Sequence, residues 1–178
     1  MAFAREVGRR TAAAKLALVS GGARGSDRIG MDGSLQAGGR SIGVLADSLE
    51  STIRKPDVQE FFHNETLVLT TPYLPSAGFS VGGAMGRNKL IYGFCDYAVV
   101  VSSDYKTGGT WAGAVEALKA GWCPVFVRES AGAPKGNAEL VKLGAVPMTE
   151  QALAGTDDLT EWFRAHSSPQ LKEQELFG

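Results

Sequence analysis

Three short stretches combine residue types that can hold an anion. SGGARGSD, residues 20–27, reads as the corner between a strand and a helix. There Gly21, Gly22 and Gly25 let a ligand approach the backbone, while Ser20, Arg24 and Asp27 supply polar groups and Ser26 or Asp27 can cap the helix. TGGTWAGAVEAL, residues 107–118, repeats the device, with Gly108, Gly109 and the Thr110 hydroxyl at a helix start whose free amides favour negative charge. The third stretch is the triplet Arg87, Asn88 and Lys89, read as the start of a helix near 86–95 with Leu90, Ile91, Phe94 and Cys95 on its buried face. Cations are disfavoured at that end of a helix by about 0.3–1 kcal/mol, so the pattern makes sense if a phosphate sits there. Arg87 can grip such a group with two parallel hydrogen bonds, Lys89 adds a point charge, and Asn88 can bond sugar, base or backbone.

The elements around these stretches alternate. Helical patterns fall near 2–14, 26–38, 48–64, 86–95, 110–120, 137–143 and 157–165; strand patterns fall at 16–20, 41–46, 66–71, 97–102 and 124–127. Runs such as YAVVV and PVFV are apolar on both faces, which predicts a mainly parallel sheet with helices on each side: an α/β, Rossmann-like, doubly wound fold. In such a sheet both glycine corners open onto one crevice beyond the carboxyl ends of the strands. Residues 1–166 read as a single domain and 167–178 as a tail. The chain opens on a helix where a doubly wound sheet normally opens on a strand, which reads as a truncated form or a strand supplied in an unusual way.

Composition narrows the function. Of 178 residues, 44% are hydrophobic and 21% charged, and the net charge is −1, so nucleic-acid binding must come from a local patch. Arg5, Arg9, Arg10, Lys15, Arg24 and Arg28 crowd the amino-terminal part, whereas the carboxyl-terminal part is acidic on balance. Cys95 and Cys123 lack metal-ligand spacing and read as reduced core residues of a cytoplasmic protein; His63 and His166 stand far apart. No metal or cofactor is assigned. Lys15 interrupts the apolar stretch that imitates a signal peptide, and no run approaches the ~18 apolar residues of a membrane span.

In this order the motifs resemble the DNA-processing protein A family (DprA, also Smf) over roughly residues 3–128. Ser20, Gly21, Ala23, Arg24, Gly25 and Asp27 match its SG-x-A-x-G-x-D corner. Arg87, Asn88 and Lys89, followed by Gly93, Phe94 and Cys95, match its R-N-R helix, and Thr107, Gly108 and Gly109 its later Gly-Gly corner. Met31 stands where the family has His, VRES at 127–130 replaces its Val-Pro-Gly close, and GGTW is atypical. The family's opening strand and a carboxyl-terminal winged helix have no counterpart, so the chain reads as a divergent, compact or truncated relative. The resemblance implies single-stranded DNA binding, self-association, and transfer of the strand to the RecA recombinase in DNA uptake or recombination. Tyr73, Phe79, Tyr92 and Trp111 are candidates for stacking on bases, Trp111 foremost.

Two other readings use the same residues. Enzymes resembling the LOG phosphoribohydrolases place an Arg before a strand and a Glu after a Gly-rich corner, parts that Arg87 and Glu116 can play in N-glycosidic cleavage of a nucleotide. Against this, TGGTWAGAVE lacks the Pro and the second Gly-Thr pair of that family. The third reading is a sensor that binds a free nucleotide.

Overall fold

The computed structural model describes residues 1–156 and 158–167. The tail read at 167–178 therefore lies, beyond Ser167, outside the described residues.

The chain runs α1 (Ala2–Ala13), β1 (Ala17–Ser20), α2 (Ser26–Gln36), β2 (Arg40–Val44), α3 (Leu49–Ile53), α4 (Pro56–His63), β3 (Leu67–Thr70) and α5 (Val81–Gly93). It continues through β4 (Ala98–Val100), α6 (Gly108–Ala120), β5 (Val125–Glu129), α7 (Lys135–Lys142), β6 (Val146–Thr149), α8 (Glu150–Gly155) and α9 (Leu159–His166). All strand pairs are parallel, in two groups ordered β1-β2-β3 and β4-β5-β6.

The strand composition explains the layering. On β5, Val125, Phe126 and Val127 are at most 1% exposed, because successive side chains leave opposite faces and both faces are covered. Val125 and Val127 join Ala98, Val100, Tyr92 and the α6 residues Ala114 and Ala117 in one apolar cluster. Phe126 joins Phe3 of α1, Met148, Leu153, Leu159 and Phe163 in another. A third cluster, Met31, Leu35, Val58 and Leu67, binds α2 and α4 to β3.

Three boundaries differ from the expected ones. The charged stretch 48–64 breaks into α3 and α4, since Pro56 opens a new helix at a position where its missing N–H costs nothing. The strand β6 carries Pro147, which hides it from a propensity reading; as an edge strand it tolerates the lost donor. Most consequential is α5, which starts at Val81 under a Ser80 cap whose hydroxyl accepts from Gly83 N–H at 3.0 Å. The Arg-Asn-Lys triplet thus lies more than a turn inside the helix, and its cations do not face the positive end of the dipole.

Candidate nucleic-acid interface

At the first corner β1 ends on Ser20 and the backbone turns through Gly21, Gly22 (φ 64°) and Gly25 (φ 98°) into α2. Gly21 is buried against Arg87: a Cβ there would stand 1.8 Å from the Arg87 Nη1. Asp27, in the first turn of α2, lies beside Arg87, the Gly21 and Ala23 amides and the Ser20 hydroxyl. Burial pushes the Asp27 carboxyl above the usual aspartate range, and the Arg87 charge with these neighbouring groups only partly offsets it. The protein's own carboxylate thus stands beside two of the corner's amides. Arg24 stays exposed at the rim.

Arg87 is 5% exposed, and its Nη1 donates to the Val44 carbonyl at the end of β2, at 2.6 Å. Among the described residues its buried Nε has no partner, and burial lowers the guanidinium pKa against the attraction of Asp27 and Asp47. A guanidinium so placed does not offer a free two-armed fork to a phosphate; it puts a fixed positive charge beneath the Gly21 corner. The next residue, Asn88, donates through Nδ2 to the Gly109 carbonyl at 3.1 Å. Lys89 turns outward and pairs with Glu116 of α6 at 2.8 Å.

The second corner is the open one. Thr107 precedes α6 without a side-chain cap, Gly108 takes φ 81°, and Thr110 is exposed in the first turn. The amides of Gly108, Gly109 and Thr110 thus belong to the set a helix start leaves for an external acceptor. One helix segment, Arg87 to Asn88, touches both corners and so brings all three stretches together at the carboxyl ends of β1 and β4.

Most expected stacking aromatics are committed elsewhere. Tyr92 is 9% exposed, and burial pushes its hydroxyl pKa up; the Tyr73 hydroxyl donates to the Gly83 carbonyl at 2.7 Å. Trp111 packs on the core beneath the corner, while Phe79 lies exposed before α5. Cys95 and Cys123 are free thiols whose pKa values burial raises to about 12 and about 11. Among the described residues no three His, Cys, Asp or Glu side chains group as metal ligands, and no helix is long and apolar enough to cross a membrane.

Spacing alone does not single out Tyr105, Lys106 or the buried Asn137, which shape the approach to the open corner. The Tyr-Lys pair directly ahead of Thr-Gly-Gly is the local sign of the first two; Asn137 has none, since it reaches Ser103 across 34 residues.

No curated protein matches the chain in sequence. The fold is similar to the X-ray structure of DNA processing protein A from Streptococcus pneumoniae, with TM-score 0.69 and 22% identity over 86% of this chain and 56% of that one. This chain therefore spans little more than half of that protein. It is similar also to DNA processing protein A from Helicobacter pylori, a structure concerned with its single-stranded DNA binding mode, with TM-score 0.68 and 22% identity over 86% of this chain and 70% of that one. The sequence model of DNA recombination-mediator protein A matches residues 1–158, so the glycine corners and the Arg-Asn-Lys segment between them lie within the match, and the chain belongs to the DNA recombination-mediator protein A family.

Proposed function

We propose that this protein binds single-stranded DNA through its phosphate backbone, at the crevice where the open start of α6 meets the Arg87 charge. One observation carries the reading: Arg87 and Asn88, adjacent on α5, brace the Gly21 and Gly109 corners together. Phosphate oxygens then take the amides of Gly108, Gly109 and Thr110, and the exposed Arg24 lends charge at the rim. Ser20, Gly22, Gly25 and Asp27 shape the first corner. Lys89 acts once it exchanges Glu116 for a phosphate. The single-stranded DNA binding mode with which the H. pylori relative's structure is concerned supports this choice of ligand.

We also propose that residues 1–166 work as one domain, that it self-associates, and that it passes the strand to RecA in DNA uptake or recombination. The exposed Leu74, Phe79 and Val81, close together in the sequence ahead of and at the start of α5, are the candidates for such a contact. The hydrolase reading gains no support from Glu116, whose carboxylate is paired with Lys89.

The test is equilibrium binding of oligo-dT, duplex DNA and adenosine monophosphate across a salt series, with sedimentation run on the same samples. Oligo-dT is expected to bind best, its log affinity falling with log salt by about 0.7 per neutralised phosphate. Mononucleotide binding as tight as oligo-dT, or release of free adenine, would overturn it. A protein that sediments as a monomer with and without DNA loses the self-association.

A further inference from the structure

Between β4 and α6 the chain makes a tight turn that holds three features at once. Tyr105 is 37% exposed, and its ring stands at 83° to Trp111 with centroids 5.1 Å apart. The ammonium groups of Lys106 and Lys135 lie over that ring at 5.1 and 5.0 Å from its centroid. Lys106 itself takes φ 56°, in the left-handed region that non-glycine residues disfavour.

Among the described residues the other two non-glycine residues with positive φ, Lys15 and Glu65, follow the ends of α1 and α4, where that conformation commonly closes a helix. Lys106 closes none. Its strain persists because the turn is fastened from below: the Ser103 N–H donates to the buried Asn137 Oδ1 at 2.8 Å. The turn thus holds a half-open aromatic ring and two cations at the lip of the α6 corner.

We propose that Tyr105 is a stacking platform for one base of the bound strand, with Lys106 and Lys135 taking the phosphates on either side of it. The inference rests on the backbone-binding reading above and extends that strand beyond the α6 corner toward the start of α7. Charge supports it. The nearby Glu139 is committed to Lys142 at 2.9 Å, and among the described residues neither Lys106 nor Lys135 has a carboxylate within ion-pair distance. Energetics supports it too. A base stacked on an aromatic side chain gains more than a single exposed ammonium loses on leaving the ring. Two ammonium groups leave together, and the exchange runs downhill because each of them gains a phosphate.

The experiment compares oligo-dT with an oligomer of the same length built from abasic residues, both binding the full chain. Tyr105→Ala is expected to weaken oligo-dT by about ten-fold or more, with the abasic oligomer changing by less than about two-fold; Tyr105→Phe restores wild-type binding. Lys106→Ala with Lys135→Ala weakens both oligomers and lowers the salt slope by about 1.4. Equal losses on both oligomers in Tyr105→Ala, or no loss on oligo-dT, would sink the platform while leaving backbone binding intact. A wild-type protein that fails to bind oligo-dT at low salt would instead remove the reading beneath it.

Discussion

Arg87→Ala is expected to lower stability by about 3 kcal/mol and single-stranded DNA affinity by about ten-fold or more. Lys89→Ala is expected to cost less than about 1 kcal/mol, because its pair with Glu116 is exposed. The asymmetry follows from position. Removing the buried guanidinium leaves the Val44 carbonyl without its donor and the buried Asp27 carboxyl without its attracting charge. The Asp27 pKa, already raised by burial, rises further in the variant. A carboxyl whose folded pKa lies above its unfolded one favours the fold while protonated and opposes it as pH climbs through the folded value. The penalty of Arg87→Ala should therefore be larger at pH 8 than at pH 5, as read by urea unfolding at both. Arg87→Met with Asp27→Asn separates charge from packing: with no charge left uncompensated, stability recovers in part while DNA affinity stays low. A double variant that binds like wild type would show that the Arg87 charge is not what the strand feels.

What the sequence made legible was the part written in local patterns. PVFV, apolar on every residue, predicts a strand covered on both faces, and Val125 to Val127 occupy that place. The glycine corners predict sharp turns at the carboxyl ends of strands, and Gly22, Gly25 and Gly108 have positive φ there. The start of α5 was hidden because VGGAMG, with low helix propensity, precedes the triplet, and because that helix leaves Val81 and Met85 exposed while burying Arg87. Nor could spacing show that Asp27 would stand beside the Gly21 and Ala23 amides, or that Arg87 would reach Val44, 43 residues away. Both depend on side chains meeting across elements, and a one-dimensional pattern carries no trace of that. The same limit explains why the corner left open is the one at α6 rather than the richer-looking first one.

Asn137 is where such a long-range contact is expected to have the largest effect on the fold. It is 2% exposed; its Oδ1 accepts from Ser103 N–H, and its Nδ2 donates to the carbonyls of Val101 at 3.2 Å and Arg128 at 2.8 Å. One donor and two acceptors around it fix which end of the amide is oxygen. The side chain thereby ties the segment following β4 and the end of β5 to α7, and the neighbouring Gly136 sits so close that a Cβ would stand 2.1 Å from the Ser103 carbonyl oxygen. Asn137→Ala strands three backbone groups in the interior, each costing about 1–3 kcal/mol before relaxation and entering water reduce it, so a loss of about 3 kcal/mol or more is expected. Asn137→Asp is the sharper variant, being the same shape. It keeps the Ser103 bond but sets an oxygen against two carbonyls, which burial and repulsion relieve only by protonating the carboxyl. Its folded pKa then exceeds its unfolded one, so its stability should be highest in acid and decline as pH rises toward neutrality. Chemical unfolding of the three proteins between pH 4 and pH 8 reads this directly. Because Ser103 leads into the turn bearing Tyr105 and Lys106, Asn137→Asp should also bind oligo-dT more weakly at pH 8 even where it remains folded. A loss under about 1 kcal/mol in both variants, with no dependence on pH, would mean that α7 does not anchor the turn.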